Sequence, residues 1–448
     1  MGFLAVILFL LLFVLILKGY PVAITLGGVS TVFALAVMVV APDVIRIQDF
    51  YLLPTRFMGT INNTMLMAIP LFIFMGIMLE KSGLAETLLQ TMADLFGSLR
   101  GGLAIAVIIV GALLAASTGI VGATVVTMGS ISLPVMLKRG YHPALATGVI
   151  ASSGTLGQII PPSIVLILLA DQIGINTRGV AQVDVGTLFK AAILPGLLLV
   201  IAYILYVLVI SQFKKDWAPA VDKAVIKARR SDTFLLDLFK AFILPLSLIL
   251  AVLGSILAGI TSPTEAAAVG AFGSIILTAL SGKLSMDTLK AVMQQTMRLT
   301  SMVFLILLGA TTFTLVFRTL GGDDYLIQLI ESINLSAMGF LLIVMFIMFI
   351  SGFFIDFIEI VFIFIPVVVP IFNIYEIDLL WVAVLMAINL QTSFLTPPFG
   401  FSLFYLKGVA PPEVTTAHLY RGIIPYIVIQ VLMMILLVVF PDLIKMFI

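Results

Sequence analysis

The stretch Ser152-Ser153-Gly154-Thr155-Leu156-Gly157-Gln158-Ile159-Ile160-Pro161-Pro162 decides the fold, because the chain returns to it in outline at Asn389-Leu390-Gln391-Thr392-Ser393-Phe394-Leu395-Thr396-Pro397-Pro398. Each is a polar, helix-breaking patch inside an apolar run, and each closes on a proline pair. Pro397 follows Pro161 by 236 residues, and Pro370 follows Pro134 by the same 236. Broken helices at matching positions of two halves mark an internal repeat with a binding site where the backbone unwinds.

The composition fixes the surroundings of that repeat. Of 448 residues, 62% are hydrophobic and 10% charged, and the mean hydropathy is +1.27. These values predict an all-α, polytopic membrane protein. The alternation of a membrane β-barrel is absent. With no cysteine, disulfides and thiolate metal sites are excluded. A net charge of +1 gives no basic surface for nucleic acid. His142 and His418 lie in polar stretches and read as neither ligands nor catalysts. The first run, Phe3–Leu17, lacks a basic start and a small-residue cleavage site, and reads as a retained helix.

Spanning runs are expected at 3–17, 21–40, 65–80, 143–170, 191–211, 241–260, 263–281, 299–317, 379–405 and 424–442. The stretches 103–137 and 338–370 are too long for one crossing and break near their middles, as two crossings or a re-entrant helical hairpin would. The linker carries Lys214, Lys215, Lys223, Lys227, Arg229, Arg230 and Lys240, which places it in the cytoplasm and suits a helix lying on anionic headgroups. With both long stretches taken as hairpins, Lys18, Lys81, Arg100, Lys138, Arg139, Lys283, Lys290, Arg298, Lys407 and Arg421 fall inside. Asp43, Asp49, Asp171, Asp184, Asp323, Asp324, Glu331, Glu376 and Asp378 fall outside, as does the N-terminus. Arg46, Arg56, Arg178 and Arg318 also fall outside, against the bias. Hairpin 103–137 then enters from the cytoplasm and 338–370 from the opposite side. Residues 1–213 and 241–448 form an inverted-topology repeat around the linker 214–240. Pro21 and Gly28 align with Pro263 and Gly270 at a shift of 242.

Irregular backbone at membrane depth survives where protein or a watery cavity receives it. Four such breaks are expected, at Ser117–Gly119, Ser152–Thr155, Gly352–Asp356 and Asn389–Ser393. Exposed carbonyls with serine and threonine hydroxyls suit Na+, and half-helix N-termini suit an anion. If each hairpin tip meets the broken helix of its own half, two cups result. Na+ is assigned to Ser117, Ser152, Gly154, Gly352, Asp356, Thr392 and Ser393. An organic solute between the cups is assigned to Ser117, Thr118, Gly119, Ser153, Gly154, Thr155, Gly352, Phe353, Asn389, Gln391 and Thr392. Asp356, a carboxylate deep in an apolar run, is the leading side chain. Glu359, one turn on, reads equally as ligand or structural partner. Glu265 reads as the cap of a helix beginning Ser262-Pro263. No G-x-x-x-x-G-K-[ST], H-E-x-x-H or nucleophile–base spacing points to an enzyme.

At these motifs the chain resembles the large membrane subunit of tripartite ATP-independent periplasmic (TRAP) transporters. The resemblance runs through Ala68-Ile69-Pro70-Leu71-Phe72, Leu137-Lys138-Arg139-Gly140-Tyr141, Gly154 to Ser163, Ser262 to Ala268, Asp356 before Ile365-Pro366, and Leu395 to Gly400. It implies a Na+-coupled importer of small organic acids in a bacterial or archaeal cytoplasmic membrane. It also implies a scaffold with an elevator-type moving domain, a small membrane subunit and an extracytoplasmic binding protein that supplies the solute. The alternative is a stand-alone ion-coupled organic-anion transporter with the same two hairpins. A channel would need a continuous polar pore, and the polar breaks are confined to two cups.

Overall fold

The computed structural model describes residues 2–177, 183–220, 234 and 238–448. Among them no strand occurs, and the chain runs as helices α1 (Phe3–Leu17), α2 (Val22–Val40), α3 (Leu52–Ile61), α4 (Ala68–Lys81), α5 (Leu84–Phe96), α6 (Gly102–Thr118), α7 (Val121–Lys138), α8 (Pro143–Thr155), α9 (Ile164–Asn176), α10 (Val185–Phe213), α11 (Leu244–Leu257), α12 (Pro263–Leu280), α13 (Met286–Thr319), α14 (Gly322–Ser332), α15 (Ala337–Ser351), α16 (Phe357–Ile374), α17 (Leu379–Leu395), α18 (Phe401–Val409) and α19 (Thr416–Val439). Nine helical stretches among the described residues are long and apolar enough to cross a membrane. The protein is a polytopic, all-α membrane protein. Lys223, Lys227, Arg229, Arg230 and Arg178 lie outside the described residues, so the reading of the linker as a surface helix does too.

Both long stretches fold as helix–turn–helix. The first pairs α6 with α7 through Gly119 and Ile120; Gly119 has φ +61°, a conformation glycine adopts without a Cβ penalty. The second pairs α15 with α16 through Gly352–Asp356. The broken helices are also present, but the breaks are displaced. Ser152–Thr155 lie within α8 and Asn389–Ser393 within α17; irregular backbone begins at Ile159 and at Thr396. Ser117 and Thr118 likewise close α6 rather than leave it. The expectation of unwound backbone at those serines and threonines is therefore corrected. The hydroxyls of Ser117, Ser152, Ser153, Thr155, Thr392 and Ser393 bond back to carbonyls three or four residues earlier, and those residues stay helical. Prolines, lacking the N–H and crowding the preceding turn, end the helices instead.

The helices fall into two compact units, each drawing on both halves of the repeat. One comprises Met1–Met67, Leu168–Asp184 and Met297–Val382. Within it Phe9 of α1 meets Phe313 of α13 and Phe364 of α16. Gly309 of α13 lets that helix approach the backbone of Ala23. Polar ends assigned outside by charge meet here: Asn63 Nδ2 donates to Asp171 Oδ1 at 2.6 Å, and Arg318 Nη2 to Asn176 Oδ1 at 2.8 Å.

The other unit comprises Ala68–Ile167, Val185–Thr296 and Ala383–Ile448. It is built on small-residue crossings. Gly148 of α8 and Gly422 of α19 face each other so closely that a Cβ on either would strike backbone. Gly270 of α12 admits Met75 of α4, and Thr278 Oγ1 donates to the Met78 carbonyl at 3.3 Å. Polar ends assigned inside meet in this unit: Arg139 lies 3.6 Å from Asp94, and His142 N donates to the Trp217 carbonyl at 3.0 Å.

Candidate functional site

The first hairpin tip and the first broken helix share the second unit and pack together. Gly76 of α4 presses on the tip: a Cβ there would lie 2.6 Å from the Ser117 carbonyl oxygen. Gly119 packs on Ile164, where α9 begins. Ser153 seats against Gly111 of α6, Gly154 against Val125 of α7, and Gly157 against the Ala115 carbonyl. The glycines of the motif thus bring α8 onto both arms of the hairpin.

The hydroxyls around this contact share a pattern. Ser117 donates to Leu114 O at 2.8 Å, Ser152 to Val149 O at 3.1 Å, Ser153 to Ile150 O at 3.2 Å and Thr155 to Ser152 O at 2.8 Å. In the second half Thr392 donates to Ile388 O at 2.7 Å and Ser393 to Leu390 O at 2.8 Å. A hydroxyl that gives its proton to its own helix keeps its oxygen lone pairs for another partner. Such an oxygen set suits a hard cation.

The proline pairs leave the same carbonyls without their helical donors in both halves. Pro162 cannot donate to Gln158 O, nor Pro398 to Phe394 O. A serine hydroxyl replaces the missing donor each time, Ser163 to Gln158 O at 2.9 Å and Ser402 to Phe394 O at 2.9 Å. The halves also touch at repeat-related positions: Gln391 Nε2 lies 3.5 Å from Thr155 Oγ1, 236 residues away.

Gln158 is not singled out as a site residue by the sequence motif alone. It is fully buried, and neither its amide nitrogen nor its oxygen has a partner among the described residues. Gln391 Oε1 also has no partner among the described residues. Two buried amides with open valences at the helix breaks are costly unless something polar joins them. An uncharged amide inside an apolar run was the available signal for Gln158.

The second tip is built differently and belongs to the first unit. Asp356 caps α16 by accepting from Phe357 N at 2.6 Å, while Glu359 accepts from Asp356 N at 3.3 Å. Both carboxylates thereby complement the helix N-terminus. Gly352 lies buried in the turn, and Phe353 stacks edge-on with Phe349 at 5.0 Å. The second tip and the second broken helix fall in different compact units, so the Gly352, Phe353 and Asp356 group is not assembled with Asn389, Gln391, Thr392 and Ser393 inside either one. Glu265 is the cap expected of it, accepting from Ser262 N at 2.8 Å.

Residues 9–443 match the family described as "Tripartite ATP-independent periplasmic transporter, DctM component". The chain belongs to this family. It is similar to the C4-dicarboxylate TRAP transporter large permease protein DctM of Rhodobacter capsulatus, 31% identical over 92% of this chain and 91% of that one. It is also similar to the sialic acid TRAP transporter large permease protein SiaM of Vibrio cholerae, 27% identical over 86% and 87%. Its fold is like that of the YdaH transporter of Alcanivorax borkumensis, with a TM-score of 0.62, 15% identity and 88% of each chain covered. The protein is therefore the large permease component of a tripartite secondary transporter, a multi-pass protein of the bacterial inner membrane and not an enzyme.

Proposed function

We propose that this permease imports a small organic acid by coupling it to Na+, with an extracytoplasmic binding protein delivering the solute and a small membrane subunit bracing the scaffold. The observation that carries the reading is the packing of the first tip on its broken helix, with lone-pair-bearing hydroxyls and the unpartnered Gln158 amide around it. Two relatives named for a C4-dicarboxylate and for sialic acid support an acidic solute. The two tips are re-entrant and enter from opposite sides. Ser117, Ser152, Gly154, Thr392 and Ser393 offer hydroxyl and carbonyl oxygens to Na+, and Gly352 with Asp356 does so at the second tip.

The two tips differ in the charge at the helix each begins. The helix α7 follows Ile120, whose side chain supplies no cap, so its free amides favour a carboxylate. Helix α16 starts with two carboxylates, which favour a cation. Na+ supplies the driving force when bound. Gln158, Gln391 and Thr155 orient the solute, and the loaded domain moves as an elevator against the scaffold. Coupling requires that ion-loaded and empty states differ in solute affinity. The test is uptake of labelled succinate or sialic acid into proteoliposomes holding the permease, the small subunit and the binding protein. Uptake that follows an inward Na+ gradient and stops without the binding protein is expected. Equal uptake in K+ rejects the coupling, and uptake by the permease alone favours the stand-alone transporter.

A further inference from the structure

A cavity of about 550 Å³ lies wholly within the first unit, and none of its lining residues is assigned to the tips. Helix α3, the end of α9 and the last turns of α13 wall it. Its volume is that of a small-molecule pocket. Two arginines, Arg56 and Arg318, line it from different segments, with the amides of Asn63, Gln172 and Asn176, and no carboxylate is among its lining residues. Arg318 is held in place: its Nη2 donates to Asn176, and its Nε lies 3.3 Å from Asp323 Oδ2. Asp171 stands behind the wall, accepting from Asn63 at 2.6 Å and Gln172 at 3.0 Å. Arg56 is half-buried and has no ion pair or hydrogen bond among the described residues.

Asp323 balances Arg318, so the Arg56 guanidinium is the charge facing the cavity with no counter-charge among the described residues, and it attracts an anion. Arg56 and Arg318 are also two of the four basic residues that violate the inside bias of the rest of the chain. We infer that this cavity is an outer waiting station for a small carboxylate, held between Arg56 and Arg318 before it reaches the tips. The inference rests on the proposed orientation and on the import of an organic acid. Guanidinium forks pair with carboxylates bidentately, so a di- or monocarboxylic acid is the fitting class.

The chain contains no cysteine, so a single Thr60→Cys reports on the cavity without a background. The measurement compares its labelling by a sulfonate-bearing and a trimethylammonium-bearing methanethiosulfonate in right-side-out membrane vesicles. The anionic reagent is expected to react faster, and Arg56→Gln to cut the anionic-to-cationic ratio about fivefold, with Arg56→Lys keeping most of it. Succinate is expected to slow labelling, and to lose that effect in Arg56→Gln. A ratio indifferent to Arg56→Gln, or labelling indifferent to succinate, overturns the station. Labelling confined to inside-out vesicles overturns its outer position. Since labelling needs no uptake, a failure of Na+ coupling in proteoliposomes leaves this result standing and is told apart from it.

Discussion

The first tip reverses the chain through Gly119 and Ile120 with hydroxyls alone: Thr118 Oγ1 lies 2.7 Å from Thr124 Oγ1, and Thr124 donates to Ile120 O at 3.1 Å. The second takes five residues, Gly352–Asp356, and brings two carboxylates and an aromatic pair. One tip leaves a helix N-terminus open; the other closes it with negative charge. The two turns thus differ in the charge they place at a helix N-terminus: none beside α7 and two carboxylates beside α16.

The sharpest break of this contrast is at Gly76, which seats the first tip. Gly76→Ala places a Cβ against the backbone of Ser117 and Thr118, and uptake is expected to fall about tenfold or more, as overpacking costs roughly 1–3 kcal/mol. Gly254→Ala, where a Cβ meets nothing within 4 Å, serves as control. Equal uptake by the two variants, at equal folded yield, means the first tip tolerates displacement and its packing is not functional.

At the second tip, Asp356→Asn separates cap from ligand. Asparagine caps a helix about as well as aspartate, so stability holds. The Na+ concentration for half-maximal uptake is expected to rise about tenfold, the size of one charge-assisted contact of roughly 1.4 kcal/mol. Asp356→Ala should weaken Na+-dependent uptake further while membrane insertion persists. An unchanged Na+ response in both variants leaves Asp356 as a cap only.

Gln158→Leu tests the open amide beside the first tip. Removing a buried, unpartnered group is expected to raise the unfolding midpoint in detergent, yet to slow uptake about fivefold, the value of one hydrogen bond to solute near 1 kcal/mol. Slower uptake with a lowered midpoint points to a structural amide instead.

The smallest effect lies at the far end of α8. His142 caps that helix, accepting from Ala144 N at 3.2 Å, and stacks on Trp217 with centroids 4.1 Å apart. Burial, then the His418 and Lys214 charges, push its imidazole below the usual 6.5. The depressed group binds its proton less readily folded than unfolded, so its stabilisation is whole above about pH 6.5 and fades as pH falls below it. A midpoint drop of about 2 °C from pH 7.5 to 5.5 is expected, reduced in His142→Asn, which retains a capping acceptor. An identical slope in that variant removes His142 from the account and confines the contrast to the tips.

Much of this was legible in the sequence for local reasons. Pro161, Pro162, Pro397 and Pro398 lack N–H groups, so the helices had to stop there whatever surrounded them. Ser262 with Glu265 forms its capping box from spacing alone. The position of unwinding was misjudged by about a turn, because a serine or threonine hydroxyl can bond its own helix and leave it intact, and sequence does not say which way the hydroxyl turns. Gln158 and the Arg56–Arg318 cavity were missed because an open valence, or a meeting of two charges far apart in the chain, exists only in space.

The sequence by itself determined an all-helical membrane chain and the prolines and glycine beside which regular helix stops, since hydropathy, proline chemistry and glycine's φ range act within a few residues. Only the tertiary structure decided that the compact units cross the halves of the repeat, that Thr155 meets Gln391, and that two outlying arginines share one cavity. Those outcomes depend on which small residues let helices approach, and close packing is a property of pairs of surfaces rather than of either sequence alone.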